Sequence, residues 1–103
     1  MINNRRRRPT HPGTLLAEIL PASPIKNQAN LAKLMGVSRR LINEIINERR
    51  PVKPDIAHRL AAVFDTTPDL WLNMQIAIDV WEAAQENHKD YQRIRERAAK
   101  IAA

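Results

Sequence analysis

At 103 residues and a formal net charge of +6, the chain has room for one small domain. It carries no cysteine, which excludes disulfides, thiolate zinc sites and a cysteine nucleophile. No apolar run reaches membrane-spanning length, and Arg5 to Arg8 lead into Pro9, Thr10, His11 and Pro12 rather than an apolar signal segment, so a cytoplasmic protein off the membrane is expected.

Residues 1–10 are polar, arginine-rich and aperiodic, and read as a disordered basic arm. Arg5 to Arg8 could enter a minor groove, as basic arms do, or form a tail without a defined role. A first helix is expected from Pro12, capped by Thr10 or His11, with Leu15, Leu16, Ile19 and Leu20 apolar and Pro21 and Pro24 ending it. Asn27 caps a second helix that turns Leu31, Ala32, Leu34 and Met35 inward. Gly36 supplies the φ > 0 turn, and Ser38 caps a third helix running to about Asn47. Leu41, Ile42, Ile45 and Ile46 form the buried stripe of that helix.

The unit from Gln28 to Asn47 therefore has the spacing of a helix-turn-helix, whose second helix docks in a DNA major groove. Its outer side presents Arg39, Arg40, Asn43 and Glu44 as the base-reading set. Arginine contacts guanine at two points, and Asn43 suits adenine. Glu44 either accepts from a cytosine amino group or, the favoured role, orients Arg40 through an intrahelical ion pair. Gln28, Ser38, Asn47, Arg49, Arg50 and Lys53 are placed for phosphate, although the bases of the 48–54 loop also fit a solvated turn.

Asp55 starts a fourth helix with Ile56, Ala57, Leu60, Ala61, Val63 and Phe64 buried. Thr66 or Thr67 caps a fifth, with Pro68 at its first position. Leu70, Trp71, Leu72, Met74, Ile76, Ala77, Ile78, Val80 and Trp81 make this helix apolar on more than one face, one for the core and one for a dimer. Residues 11–88 form the DNA-binding and dimerisation domain, and 89–103 an exposed helical extension that frays. The fold class is all-α, five helices, the last extended.

Charge is unevenly spread. Residues 11–53 hold seven bases against three acids, while residues 54–103 hold six against eight. The basic half contains the helix-turn-helix, as expected for a face that meets phosphate. His11, His58 and His88 lie on different elements, and Asp79, Glu82, Glu86 and Asp90 follow helical spacing without histidine partners. No catalytic residue, metal, cofactor or small-molecule substrate is expected.

The segments HPGTLLAEIL, LINEIIN, DIAHRLAAVF and TTPDLWLNMQIAID, spanning residues 11–80, resemble the HigA antitoxin family. The resemblance implies a lambda-repressor-like (Xre/Cro) domain, a homodimer, and a HigB-like partner, a small RelE-like ribonuclease that cuts messenger RNA on the ribosome. It implies repression of the shared operon through double-stranded operator DNA, with Ser38, Arg39, Arg40 and Asn43 in the operator-reading turn. Leu70, Trp71, Met74, Ile78 and Trp81 are the residues expected at the dimer surface, on the helix to which Leu72 also belongs.

Two positions depart from the family pattern. Thr14 stands where an acid often follows HPG, and Glu48 replaces a glycine, so Asn47 is expected to supply the left-handed cap. RelE-like toxins are basic, and a +6 chain cannot neutralise one by overall charge. Residues 54–92 carry seven acids against two bases, which points to Asp79, Glu82, Glu86 and Asp90 for electrostatic docking. A stand-alone Xre-type repressor and a protein-binding adaptor that makes no use of DNA are the competing readings.

Overall fold

A computed structural model describes residues 7–103, so most of the expected basic arm lies outside the described residues. It contains five helices in order: α1 Pro12–Ala22, α2 Gln28–Met35, α3 Arg39–Ile46, α4 Pro54–Phe64 and α5 Pro68–Ala102. No strand occurs among the described residues, and none of their helices is long and apolar enough to cross a membrane.

Four of the five helices start on a capping side chain. His11 Nδ1 accepts from the Gly13 amide (2.9 Å), Asn27 Oδ1 from Asn30 (2.9 Å), Ser38 Oγ from Leu41 (3.1 Å) and Thr67 Oγ1 from Leu70 (3.3 Å). These bonds satisfy amides that a helix leaves unpaired at its first turn. Pro21 does not end α1, as expected, but lies inside its last turn. The end is set by Ser23, whose amide (3.1 Å) and hydroxyl (2.7 Å) both donate to the Leu20 carbonyl.

Leu16, Leu31, Ile42, Ile45, Leu60 and Trp71 form the centre of the core. The Trp71 indole N–H donates to Thr66 Oγ1 at 2.9 Å, and its ring lies 6.2 Å from that of Phe64. Leu34 departs from expectation. It is 63 % exposed and, with Pro24, Ile25, Asn30 and Lys33, lines a shallow surface hollow. Leu31, Ala32 and Met35 already fill the inner side of α2.

The 48–54 loop is less polar than its composition suggests. Val52 is buried, and its amide donates to Oε1 of the buried Gln75 at 2.8 Å. Gln75 in turn donates to Asp79 at 2.9 Å, so its amide group is used at both ends. Just before the expected start of the extension at residue 89, Asn87 leaves helical values (φ −124°, ψ 16°) and the axis of α5 kinks.

Burial pushes the His11 imidazole below its ordinary 6.5, opposed by the Glu48 carboxylate and assisted by Arg8. A neutral ring is also what the cap requires, because Nδ1 must accept. The unfolded chain therefore takes up a proton at higher pH than the folded one, and stability falls as acid is added. Equilibrium unfolding should show full stability above pH 6.5 and a loss below it. His11→Asn, which keeps an N-cap acceptor, should flatten that part of the profile.

Candidate nucleic-acid interface

Two left-handed residues shape the helix-turn-helix. Gly36 (φ 70°) closes α2, with the Val37 amide returning to the Ala32 carbonyl at 3.0 Å. A Cβ there would stand 3.4 Å from Arg59 Nη1, and the positive φ itself disfavours any other residue. Arg59 completes this end of α2 by donating to the Met35 carbonyl at 2.6 Å while its Nε holds Asp55 at 3.0 Å.

At the end of α3 the expectation fails. Asn47 (φ −90°, ψ 14°) is not left-handed; Glu48 is, at φ 60°. The Glu48 amide donates to Ile45 (3.0 Å) and the Arg49 amide to Glu44 (2.7 Å), the paired bonds of a Schellman closure. A non-glycine residue in this conformation costs about 1 kcal/mol. Arg8 holds the Glu48 carboxylate at 2.6 Å and stands 3.6 Å from Glu82, which favours the conformation glycine would otherwise supply.

The outer side of α3 is a continuous polar surface. Arg39, Arg40, Asn43 and Asn47 are exposed, and the Arg40 side chain is 86 % open. Asn43 Nδ2 donates to Oε1 of Gln28, the first residue of α2, at 3.3 Å. Asn47 Nδ2 donates to the Asn43 carbonyl (2.9 Å) and side chain (3.2 Å). Gln28, Asn43 and Asn47 thus form one chain of amides across the two helices, with acceptor and donor capacity to spare. The Ser38 oxygen is committed to its cap, leaving its hydroxyl proton for a ligand oxygen.

Glu44 has a different position from its neighbours. Its Oε1 accepts from Arg50 Nε (3.0 Å) and Nη2 (2.8 Å), and its Oε2 lies 3.5 Å from Arg40 Nε. The hydrogen bonds from Arg50 hold its carboxyl below the ordinary value, with Arg40 acting in the same sense. The Glu44 carboxylate thus lies between Arg50 and Arg40, engaged by the first through two hydrogen bonds and by the second through an ion pair. Arg49 and Lys53 are exposed at the adjoining loop, Lys53 at the N-cap of α4 without a side-chain cap bond.

The dimer set divides. Trp71 and Ile78 are wholly buried within the protomer and have no surface left for a second copy. Leu70 is exposed, Met74 and Trp81 half-buried, and Pro9, Thr10, Leu70, Asn73, Met74 and Ala77 line a shallow hollow beside α5. Among the described residues no three His, Cys, Asp or Glu side chains converge on a possible metal position.

Sequence spacing did not reveal Arg8, Arg59 or Gln75 as positioning residues, because each acts on backbone or side chains far along the chain. The spacing of Arg59 four residues after Asp55 was the one visible trace.

Known proteins give this geometry a context. A helix-turn-helix family model, HTH_3, matches residues 26–71. The chain is 47% identical over 77 residues to the uncharacterized HTH-type transcriptional regulator YbaQ of Escherichia coli K12, covering 74% of this chain and 67% of that protein. It is 40% identical over 78 residues to the antitoxin HigA-1 of Vibrio cholerae, covering 75% and 72%. Among solved structures, the Pseudomonas aeruginosa antitoxin HigA with the higBA promoter aligns with a TM-score of 0.77 at 32% identity, over 84% of this chain and 94% of that one.

The Glu44 clasp has a direct readout. Carboxyl chemical shifts followed by NMR should show Glu44 titrating below the other glutamates, and Arg50→Ala should return it toward the ordinary range while Arg40→Ala moves it less.

Proposed function

Because the chain belongs to the HigA family of Xre-like helix-turn-helix proteins, we propose that it is a non-catalytic antitoxin that binds operator DNA as a homodimer and represses its own operon. The observation that carries the DNA reading is the outer side of α3, where Arg39, Arg40 and the Gln28–Asn43–Asn47 amides share one exposed surface. Its likeness to a HigA structure containing promoter DNA supports the same docking. Arg39, Arg40 and Asn43 read base edges, whereas Gln28, Ser38, Asn47, Arg49, Arg50 and Lys53 contact phosphate and fix the register. Glu44 belongs with the positioning residues.

Residues 11–88 carry these contacts, and a two-fold dimer would place recognition helices about 34 Å apart on an inverted repeat. The same protein neutralises a HigB-like, RelE-like ribonuclease by binding it in the cytoplasm. Similarity to HigA-1 supports this half of the proposal. A basic toxin would dock on Asp79, Glu82, Glu86 and Asp90, all exposed along α5. The similarity to YbaQ favours a second reading, a regulator without a toxin.

Binding measurements separate the roles on α3. Arg40→Ala should cost about 1–3 kcal/mol of specific binding and relax preference at one base pair. Arg49→Ala should instead weaken binding to every sequence and flatten its salt dependence. Equal affinity for operator and scrambled DNA at physiological salt would overturn sequence-specific repression.

Co-expression tests the antitoxin half. A short basic reading frame immediately upstream should arrest growth alone, and this chain should rescue growth and co-purify with its product. No rescue and no co-purification would leave the regulator reading. Neutralising the four acids should weaken the complex; unchanged binding would remove that surface from the proposal.

A further inference from the structure

The distal part of α5 has no counterpart in the core: every residue from 88 to 102 is exposed, yet the segment is helical to Ala102. A solvated helix of this length is marginal in water without a partner. Its sequence is not uniformly polar. Tyr91, Ile94, Ala98 and Ile101 follow a three–four alternation, and Ile94 is 59 % and Ile101 87 % exposed.

The same alternation runs back through Asn87, Ala84, Val80, Ala77, Asn73 and Leu70. The non-helical Asn87 interrupts it: Leu70, Asn73, Ala77, Val80 and Ala84 lie apart from the side that buries Trp71, Gln75 and Ile78, and Tyr91, Ile94, Ala98 and Ile101 share one side of the distal stretch. A three–four repeat is the signature of a seam between paired helices rather than of a face packed into a globular core.

We infer that residues 88–102 pair in parallel with the same segment of a second copy of this chain, as a short two-stranded coiled coil. Charge selects the occupant and the direction. In a parallel pair, the residue just before one seam position lies near the residue five places later on the other helix. For Asp90 that residue is Arg95 of the second copy, and two-fold symmetry makes the contact twice. The Arg93 guanidinium, 3.0 Å from Asp90, lies farther from the seam and can share the carboxylate.

Arg97 would face only Ala102 of the second copy, and Lys89, Arg93 and Lys100 point away from the seam. A basic protein is a poor occupant of this seam, since beyond Asp90, at its start, the segment holds only Glu96 against five bases. The exposed isoleucines likewise do not suit a phosphate backbone.

The inference extends the proposed dimer by naming a surface, a direction and a register, and it needs neither operator nor toxin. Sedimentation equilibrium on the full chain should show a dimer. Ile94→Asp with Ile101→Asp should raise its dissociation constant about tenfold or more while leaving the folded domain intact by circular dichroism. Arg95→Asp should weaken the dimer, and adding Asp90→Arg should restore it.

With no native cysteine present, Ile94→Cys should oxidise to a covalent dimer, because a parallel seam brings the two positions face to face. A dissociation constant unmoved by the double aspartate variant would overturn the inference while leaving a dimer through other surfaces standing. So would an antiparallel pattern, in which Tyr91→Cys crosslinks to Ile101→Cys and Ile94→Cys does not crosslink to itself.

Discussion

The amide end of α1 rests directly on the carbonyl end of α3, and the contact leaves no space for a side chain. A Cβ on Gly13 would collide with the Ile45 carbonyl oxygen, so glycine is required here by closeness rather than by backbone angle. The meeting is also electrically favourable, since the positive end of one helix faces the negative end of the other. His11 and Pro12 prepare it: one caps the helix through Nδ1, and the other starts it without an amide to satisfy. Other parts of the fold secure the same end of α3 from different directions. Arg8 stabilises its left-handed closure at Glu48, and Gln75 holds the next loop through Val52. The exposed face of α3 is thus presented by backbone fixed on three sides.

Helix starts and the turn at Gly36 were legible because each rests on chemistry within a few residues. Asn27, Ser38 and Thr67 cap the amides three positions ahead, and the α3 stripe buries Ile42 and Ile45 as its spacing requires. What escaped was determined across longer distances. Glu48 takes the left-handed position, and Arg8, forty residues away in the chain, holds its carboxylate. Val52 reads as part of a polar loop until Gln75 is placed beside it. Leu34 fits an apolar pattern on α2 but lies outside the volume that Leu31, Ala32 and Met35 fill. In α5, apolar residues cover so much of the circumference that periodicity could not decide whether Trp71 and Ile78 face inward or outward. Packing decides it: both are buried.

The polar surface of α3 shows why a residue's type is a poor guide to its role. Glu44 and Arg40 are neighbours by spacing, and the expected ion pair between them is present at 3.5 Å. The stronger engagement is with Arg50 beyond the helix, through two hydrogen bonds to one carboxylate oxygen. An exposed ion pair contributes about 0–1 kcal/mol to stability, so the value of this arrangement lies in direction rather than in folding energy. It orders one arginine at the start of α3 and another just past its end, both aimed from a single acid. The amide chain from Gln28 to Asn47 restricts the intervening side chains in the same way. A face with its rotamers already limited loses less entropy on meeting a ligand.

α5 links this face to the proposed dimer surface. Its inner side carries Gln75, which holds the loop leaving α3, and Trp71, which fills the core beneath. Its distal stretch carries the proposed three–four seam. In the proposed dimer, the separation of the two recognition helices would then be set by α5, its kink at Asn87 included, and one short, hydrogen-bonded loop. A flexible connection would let each half find its own DNA site independently. A stiff one makes the spacing of the half-sites part of what is recognised, so that the second recognition helix reaches its groove only on DNA of matching phase. Discrimination would then come from the fold between the reading surfaces as well as from the side chains upon them.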